Sequence, residues 1–449
     1  MTGGETMNFG KAGYILETLE KAGFRAYLVG GCVRDMIMGR EPGDFDIAAS
    51  SRPEETAAVF ASDRVIPTGI KHGTVTVIHQ GESFEITTFR RDGSYGDLRR
   101  PDSVEFTDDI EEDLGRRDFT VNAIAMDAAG NICDPYGGRA DIGRRLIRCV
   151  GDPIARFSED ALRILRAVRF SSVLNFDIDD ETSSAALALC GKISAISAER
   201  KRTELVKLIS GENCTQVMLK YREIIAAVVP ELRDCFDFCQ RSRYHKYDVY
   251  EHIVRSVEAV DAADPDSGLL KTAMLLHDIA KPQMFCLDEN GAGHFKGHPE
   301  VGAAMAADIL NRLRYDRKTI KEVYDLIAYH SVKIRNETEV RRLISQLGIR
   351  KFRLLMKVKT ADHSAKEEFV LAENDDIRKM AELAETLEKN PDSCFELSRL
   401  AVNGWDIKNL GFSGREIGEC LQILLNKVVE GSLPNERKDL LDAARELMK

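Results

Sequence analysis

No stretch of this sequence approaches the roughly 20 consecutive apolar residues that a membrane-spanning helix needs, so we do not expect the 449-residue chain to cross a membrane. Low-complexity tracts and repeats of fixed period are also missing, which excludes fibrous and repeat architectures. Residues 1–9 contain neither a basic segment nor an apolar one, so we expect no secretory signal. Ten cysteines are scattered without a Cys-x-x-Cys pair, a pattern typical of reduced thiols. These features predict a cytoplasmic globular protein.

The charge balance is acidic, with 63 Lys and Arg against 74 Asp and Glu and a net charge of −11. This balance argues against a protein that coats polyanions generally. One window departs from it, because residues 312–359 contain fourteen Lys and Arg but five acids. Solvated helix faces would explain such a window on their own. It becomes a candidate RNA-binding surface only if other features call for RNA.

The length suggests two to four compact units. Residues 11–23 have the apolar spacing of a helix that ends at Gly23. A second, short helix is predicted over residues 33–38, and a polar, mobile loop over residues 90–101. Strands are predicted at residues 26–29, 45–49, 75–79 and 83–89. From about residue 158 onward the pattern is helical only, so we predict an α/β head followed by an all-helical body.

A glycine pair, Gly30-Gly31, lies between the first predicted strand and the first short helix. Without a Cβ atom, these residues allow the backbone to approach a ligand closely, and the start of a helix offers free N–H groups to anionic oxygens. Arg34 follows one turn later and could reach a phosphate. A plain strand–turn–helix connection would explain the two glycines equally well.

Two aspartates, Asp44 and Asp46, are expected to alternate along one strand, so that both carboxylates face the same side. Carboxylates that lie side by side repel each other unless a cation sits between them. Mg²⁺ binds such oxygens and fills its other positions with water and phosphate, and a two-metal arrangement would activate a hydroxyl and neutralise a departing pyrophosphate. Glu85, on a neighbouring strand, is a candidate third carboxylate, although an exposed strand acid would look the same.

Four motifs occur in a fixed order along the first half of the chain. They are Gly30-Gly31-x-Val33-Arg34-Asp35, Asp44-x-Asp46, Arg116-Arg117-Asp118-Phe119-Thr120-x-Asn122-Ala123 and Glu159-Asp160-x-x-Arg163. Together they resemble those of the bacterial CCA-adding enzymes (tRNA nucleotidyltransferases) and their relatives, the bacterial poly(A) polymerases, and the resemblance covers residues 26–205 almost continuously. It implies a nucleotidyltransferase head, then a helical neck, body and tail, and the addition of C, C and A to the 3′ end of tRNA from CTP and ATP.

A helix is predicted over residues 159–170, with Asp160 and Arg163 as neighbours on its surface. A carboxylate beside a guanidinium offers acceptors and donors together, as the edge of a base does. The resemblance implies that this pair reads cytosine or adenine, whereas an ordinary salt bridge within the helix is the alternative. Other roles implied by the resemblance are a nucleotide contact for Arg117, a ribose-hydroxyl contact for Asp118, and a triphosphate contact or supporting role for Arg166 and Arg169.

Two further segments refine this interpretation. The loop of residues 91–101 resembles the flexible loop of enzymes that add the final A, which argues against a CC-adding enzyme and leaves an A-adding enzyme open. Residues 199–205 match a helix-stabilising element of the family, so we expect a structural role for them.

A second set of possible metal ligands lies in the helical body. The order His252, His277-Asp278 and Asp362 resembles that of the HD phosphohydrolases, and His298 and His330 would suit a second ion. Imidazoles with carboxylates suit a transition metal such as Mn, Ni, Fe or Zn. If active, the centre would cleave 2′,3′-cyclic phosphates or phosphomonoesters, and a scaffold that has lost its activity is the alternative.

The sequence thus predicts an α+β protein with four parts: a catalytic head (residues 1–150), a nucleotide-selecting neck (151–235), an HD domain (236–365) and an RNA-binding tail (366–449). The first hypothesis is a Mg²⁺-dependent enzyme that adds CCA to tRNA. The alternatives are a poly(A) polymerase or A-adding enzyme, and a phosphohydrolase with a silent head. We infer no membrane association and no protein partner.

Overall fold

The computed structural model describes residues 9–69, 73–93, 104–390 and 393–448. The chain divides into two compact units, Met1–Pro230 and Glu231–Lys449. The strands of the first unit are β1 (Ala26–Val29), β2 (Asp46–Ala49), β3 (Arg64–Gly69), β4 (Thr74–His79), β5 (Glu82–Thr88), β6 (Arg90–Asp92), β7 (Val104–Phe106), β8 (Ala125–Met126), β9 (Ile132–Cys133), β10 (Leu146–Ile147) and β11 (Asp177–Ile178).

The helices of the first unit begin with two that flank β1. They are α1 (Gly10–Lys21), α2 (Gly31–Ile37), α3 (Pro53–Val59), α4 (Ile110–Gly115), α5 (Gly138–Arg144), α6 (Pro153–Glu159), α7 (Leu162–Leu174), α8 (Asp180–Ala188), α9 (Ala198–Ile209), α10 (Cys214–Lys220) and α11 (Arg222–Val228). This mixture of sheet and helix confirms the predicted α/β head with helices after it.

A seven-stranded mixed sheet carries the head, in the order β3-β4-β5-β2-β1-β8-β9. β2 pairs in parallel with β5, with Asp46 opposite Glu85, and antiparallel with β1. Val29, Ala48 and Phe89 pack with Leu114 in the core beneath this sheet. The pairing therefore brings the segment after Val29, the start of β2 and the middle of β5 to neighbouring positions.

Several predicted boundaries need correction. Asp44 precedes β2, which begins only at Asp46, so the two aspartates do not alternate within one strand. The first short helix begins at Gly31 rather than at residue 33. Part of the predicted mobile loop pairs as β6 with β7, while residues 94–103 lie outside the described residues. Strands also continue beyond residue 158, because β11 pairs with β10.

The second unit is helical apart from a small hairpin, β12 (Cys286–Leu287) with β13 (Gly293–His294). Its described helices are α12 (Val249–Glu258), α13 (Ser267–Leu276), α14 (His298–Arg312), α15 (Arg317–Tyr329), α16 (Glu337–Leu347), α17 (Ile349–Ser364), α18 (Glu368–Leu371), α19 (Asn374–Lys389), α20 (Gly404–Asn409), α21 (Arg415–Val429) and α22 (Arg437–Glu446). No described helix is long and apolar enough to cross a membrane.

The last three helices share a core of their own. Ile407 of α20, Leu424 of α21 and Leu440 of α22 are fully buried together, and Cys394 and Val402 complete the cluster. We refer to residues 393–448 as the C-terminal module. Its core draws only on residues of the module, so these helices pack as a small bundle.

Most cations of the basic window at residues 312–359 are engaged in ion pairs. Arg350, for example, bridges Asp266 and Glu322 at 2.6 and 2.7 Å. Such pairs neutralise much of the local positive charge, so the helix-face explanation accounts for most of this window. The other paired cations are Arg312, Lys321, Arg341, Arg342, Lys351, Arg353 and Lys357.

Candidate nucleotide and metal centres

Gly30 occupies the corner between β1 and α2 with φ 78° and ψ −130°, a conformation that only glycine adopts without strain. A Cβ atom here would lie 2.9 Å from Arg117 Nη1 and 4.0 Å from Asp46 Oδ2. The missing side chain thus allows a guanidinium to sit between the glycine corner and the start of β2. This geometry brings together three residues that the sequence analysis selected separately.

Replacing Gly30 with alanine is expected to lower the free energy of unfolding by about 1–3 kcal/mol, because the new side chain adopts a strained backbone conformation. It would also push the Arg117 guanidinium aside. Urea denaturation of Gly30→Ala checks this. Gly31→Ala is the control, since a Cβ at Gly31 would lie 3.6 Å from Arg34 Nη2, an ordinary contact distance. Equal stability of the two variants would contradict it.

The carboxylates of Asp44 and Glu85 act electrostatically on Asp46. Partial burial raises the pKa of Asp46, the charges of Asp44 and Glu85 raise it further, and Arg117 lowers it. The ionised carboxylate is therefore unfavourable as it stands, and a bound cation would relieve this. Within the described residues, however, the three carboxylates do not converge within 4.8 Å, so Glu85 as a third ligand stays a prediction.

Asp113, on α4, orients the arginine pair that follows it. Arg116 donates to Asp113 Oδ1 through Nε and Nη2 at 2.9 and 2.8 Å, and Arg117 Nη2 lies 3.4 Å from Oδ2. The side chain of Asp113 is fully buried. Arg117 Nε is buried without a hydrogen-bond partner, so part of its donor capacity is unused.

Arg34 does not extend freely toward a ligand. Its Nη1 donates to Asn122 Oδ1 at 2.6 Å, and its Nε donates to Asp35 Oδ1 at 2.9 Å. Its exposure is only 8%. Arg34 thus ties the glycine corner to the segment that follows Arg117, and its predicted phosphate contact stays a prediction.

Asp118, which is buried, pairs with the partly exposed Arg166. Arg166 donates from Nε and Nη2 to Asp118 Oδ2 at 2.6 Å, while Asp118 Oδ1 accepts from the Phe119 N–H at 2.9 Å. Burial raises the pKa of Asp118, but the charges of Arg166 and Arg163 lower it more, so its pKa lies below the usual value. Arg169 Nε lies 3.1 Å from Glu204 Oε2. Arg166 and Arg169 are therefore held by acids of the first unit.

The prediction that Asp160 and Arg163 are neighbours on a helix surface is wrong. The predicted helix is interrupted at Asp160, between α6 and α7, because Asp160 has an extended backbone. Asp160 accepts from the Leu162 N–H and from Arg200 Nη2, at 2.9 and 2.8 Å. Arg163 is 8% exposed and donates to Glu159 and to the carbonyls of Arg156 and Arg116. The Arg163 N–H donates to the Asp160 carbonyl at 3.0 Å, so the two residues stay adjacent through the backbone, whereas the side-chain bonds described above go to different partners.

Several partners in these networks were not selected from the sequence as site residues. Asn122 and Glu159 stand inside the quoted motifs, so the motifs themselves contained the signal. Asp113 precedes the Arg116–Ala123 motif and had no separate signal. Arg200 belongs to the element given a structural role, and its bond to Asp160 supports that role.

The second unit contains two adjoining groups of possible metal ligands. His252, His277 and Asp362 form one group, and Asp278, His298 and His330 form the other, each with ligand atoms within 4.8 Å of one another. Asp278 Oδ2 lies 3.2 Å from Nε2 of both His252 and His277, and its Oδ1 lies 3.3 Å from His298 Nε2. Asp278 thus faces both groups.

The four imidazoles are oriented in the same way. Each Nδ1 lies within hydrogen-bond distance of a backbone carbonyl, so each N–H is used there and each Nε2 faces the acids. The carbonyls are Ala365 for His252 (3.2 Å), Met274 for His277 (2.8 Å), Phe295 for His298 (2.7 Å) and Ile327 for His330 (2.7 Å). Protein metal sites commonly fix the histidine tautomer in this way.

The electrostatics of this centre favour positive charge at His277 but not at His330, whose pKa burial lowers to about 4. Burial lowers the pKa of His277, yet the Asp278 and Asp362 carboxylates raise it to about 9. Both oxygens of Asp278 are buried without a well-aligned hydrogen bond, although Lys281 Nζ lies 2.6 Å away. A metal ion among these atoms would supply the charge that a proton otherwise supplies, so the donor set fits a transition metal.

A cavity of about 710 Å³ opens onto this centre. Its volume is in the range of small-molecule binding sites. Phe295 and Tyr244 line it together with several cations and four acids, two of which, Asp278 and Asp362, belong to the metal-ligand groups; the cations suit an anionic ligand with an organic part. The lining cations are Lys281, Lys333, Arg335, Lys359 and Lys366.

Three known families match successive parts of the chain. "Poly A polymerase head domain" matches residues 26–148, "Probable RNA and SrmB- binding site of polymerase A" matches residues 175–236, and "HD domain" matches residues 244–367. The first match contains the glycine corner and the aspartates, and the third contains both groups of metal ligands. Fold and sites thus define a nucleotidyltransferase head joined to an HD domain.

The curated relatives include CCA-adding enzymes. That of Geobacillus thermodenitrificans is 46% identical over 234 residues, which are 52% of this chain and 57% of that protein. That of Geobacillus stearothermophilus is 51% identical over 197 residues, 44% of this chain and 48% of that protein. The matched segments thus span about half the length of these curated relatives.

Solved structures match over nearly the whole chain. The Bacillus stearothermophilus CCA-adding enzyme in complex with CTP has a TM-score of 0.75 and 29% identity, with 98% of each chain covered. The Thermotoga maritima CCA-adding enzyme complexed with tRNA has a TM-score of 0.58 and 19% identity, covering 97% of this chain and 94% of that one, and supports the fold alone. The chain is therefore similar in fold to the CCA-adding enzymes over nearly its whole length, and parts of it match the poly(A) polymerase head and HD domain families.

Proposed function

We propose that this protein adds C, C and A to the 3′ end of tRNA without a nucleic-acid template, using CTP and ATP and releasing pyrophosphate. The observation that carries the proposal is the convergence of Gly30, Arg117 and Asp46 at one corner of the sheet. The names of the relatives, which are CCA-adding enzymes, point to the same reaction.

In this proposal the carboxylates of Asp44 and Asp46 hold the cation that the transfer requires. The unfavourable ionisation of Asp46 beside Asp44 and Glu85 supports such a role. Mg²⁺ suits these oxygen ligands, and when bound it would neutralise phosphate charge and lower the pKa of the attacking 3′-hydroxyl. We assign this metal as Mg²⁺ and keep Glu85 as a supporting acid.

The nucleotide would bind between the glycine corner and the arginines that follow it. Gly30 and Gly31 allow the triphosphate to approach the backbone, and the Arg117 guanidinium, whose Nη1 lies at the glycine corner, would bind its oxygens. We propose that Asp118 binds the ribose hydroxyl and that Arg34, Arg166 and Arg169 hold the surrounding elements rigid through their acidic partners. The base-reading role stays with Asp160 and Arg163.

We further propose four domains along the chain: the catalytic head over residues 1–150, the neck over 151–235, the HD domain over 236–365 and the RNA-binding tail over 366–449. The family matches at 26–148, 175–236 and 244–367 support these limits. All ten cysteines are described and free, which supports a cytoplasmic location.

The direct test is an incorporation assay. The purified chain is incubated with Mg²⁺, tRNA lacking its 3′ end and each NTP alone or in pairs, and the products are sized on a gel. The proposal requires growth by two residues with CTP alone and by three with CTP and ATP. A long adenylate tail would favour the poly(A) polymerase, and growth by a single A on a tRNA that already ends in CC, without use of CTP, would favour the A-adding enzyme.

A second candidate activity is metal-dependent hydrolysis of phosphate esters by the HD domain. The observation that favours it is the uniform tautomer of the four histidines around Asp278, which leaves every Nε2 available to an ion. The cationic cavity beside the centre suits a phosphomonoester or a 2′,3′-cyclic phosphate. We propose the ligand set His252, His277, Asp278 and Asp362, with His298 and His330 for a second ion.

Replacing Asp278 with asparagine is expected to lower the affinity for Mn²⁺ or Ni²⁺ at least tenfold, because one carboxylate faces both groups of ligands. The measurements are metal content after dialysis and the thermal shift on adding metal. Asp288→Asn is the matched control, because Asp288 pairs with His294 outside both groups. Unchanged metal content in Asp278→Asn would contradict the proposed site. His298→Asn provides a second test that keeps the Asp278 charge.

A further inference from the structure

Among the described residues, Trp405 is the most exposed large hydrophobic side chain, with 72% of its surface accessible. It is also the single tryptophan of the sequence. The activity proposed above gives this side chain no role. Aromatic side chains usually bury large areas, but a single exposed one is ordinary at a protein surface, so a binding role for this ring depends on what surrounds it.

The backbone beneath this ring is fixed. Asn403 Oδ1 accepts from the N–H groups of Trp405 and Asp406 at 2.9 and 3.3 Å, and Asp406 Oδ2 accepts from the Asn403 N–H at 2.9 Å. At Gly404, a Cβ would lie 3.6 Å from Ile417 Cγ2, so the start of α20 packs on α21. The ring is thus presented from an ordered support, which lowers the entropy lost on binding.

The charge beside the ring is positive. Lys408 Nζ lies 5.1 Å from the centroid of the Trp405 ring. The nearby acid, Asp406, is paired through both oxygens with Arg437 at 2.5 and 3.0 Å, and its side chain is 10% exposed. A flat ring with an adjacent ammonium, beside an acid that is already neutralised, matches a nucleotide, whose base stacks while its phosphate meets the cation.

We propose that Trp405 and Lys408 form a stacking site for an unpaired base of the RNA substrate. This inference rests on the proposed function, since it assumes that the chain binds tRNA. The C-terminal module holds seven Lys and Arg against nine Asp and Glu, so net charge does not attract RNA to it. Stacking therefore supplies most of the affinity at this point.

The single tryptophan makes the test direct, because all indole emission reports on Trp405. Titration of the full-length chain with tRNA lacking its 3′ end is expected to quench this emission, whereas a blunt, fully paired RNA duplex is expected to leave it unchanged. In filter binding, Trp405→Ala is expected to weaken tRNA binding about tenfold, within the range for one stacked base, while Trp405→Phe retains most of the affinity. The slope of log affinity against log salt concentration reports phosphate contacts. It should stay the same in Trp405→Ala and become slightly smaller in Lys408→Ala.

The matched control is Ile423→Ala, which removes another exposed apolar side chain (40% exposed) from the same module and should bind tRNA normally. Equal tRNA affinity of Trp405→Ala and the unmutated chain would overturn the stacking site, and continued CCA addition would then leave the proposed function intact. Conversely, RNA binding that depends on Trp405 in a chain that adds no nucleotide would overturn the proposed function alone. If the Trp405 emission changes with protein concentration in the absence of RNA, a second copy of the chain covers the ring. That result would overturn the RNA assignment.

Discussion

Asp46→Asn is expected to reduce nucleotide addition by roughly 10³-fold or more, because a lost cation ligand removes several kcal/mol of transition-state stabilisation. Folding should respond in the opposite direction. The carboxylate is disfavoured by partial burial and by Asp44 and Glu85, so a neutral amide relieves that repulsion. Single-turnover incorporation measures the first effect and urea denaturation the second.

The two effects together distinguish a functional acid from a structural one. A structural aspartate would lose activity and stability in parallel, whereas Asp46→Asn should unfold at an unchanged or higher urea concentration. Glu82→Gln is the matched control, because Glu82 is an exposed acid of β5 paired with Lys11. Bound transition metal should be unaffected, since both groups of histidines lie in the other unit. Wild-type incorporation by Asp46→Asn would refute the assignment of the transfer site.

Substitution of Arg163 is expected to have the second-largest effect, on selectivity and on stability. Its guanidinium is buried and donates to Glu159 and to two carbonyl groups. Arg163→Ala would remove these bonds, although Glu159 keeps Arg156 as a donor and the Arg156 carbonyl keeps the Asp160 N–H, so the cost is about 1–3 kcal/mol of folding free energy. If Arg163 also reads the base, incorporation of GMP and UMP should rise relative to CMP and AMP.

Asp160→Ala separates base reading from folding stability, because Asp160 contributes less to stability than Arg163 does. It accepts one backbone N–H at the start of α7, a contact worth about 1 kcal/mol. Its second oxygen binds Arg200, so Arg200→Ala should loosen Asp160 and reduce selectivity by a smaller factor. Rates with each NTP alone, measured beside urea denaturation, check both variants. Unchanged discrimination in Asp160→Ala would exclude it from base reading.

The spacing of apolar residues was sufficient to predict the helices and strands whose own sequence is regular. β1 has the predicted bounds, and the helix of residues 11–23 forms as α1. β3 was missed because its sequence contains Pro67, and it lies at the edge of the sheet, where a proline is tolerated. Period and composition therefore identify the longer central strands better than an edge strand with a proline or the two-residue strands β8 and β9.

The site residues could be selected from motifs, but their contacts could not. The break at Asp160 is stabilised by Arg200, forty positions along the chain, so a helical pattern over residues 159–170 could not reveal it. In the same way, Arg34 binds Asn122, which is distant in sequence. Three of the four histidine tautomers, in contrast, are fixed by the carbonyl three residues earlier, a local arrangement that sequence spacing alone could have suggested.

The C-terminal module has a core built from its own residues. Substitutions inside that bundle should therefore be absorbed locally, so the proposed RNA contact of the C-terminal module could change while the chemistry of both carboxylate centres stays the same. In evolutionary terms, substrate preference and catalytic competence could then drift at separate rates within one polypeptide.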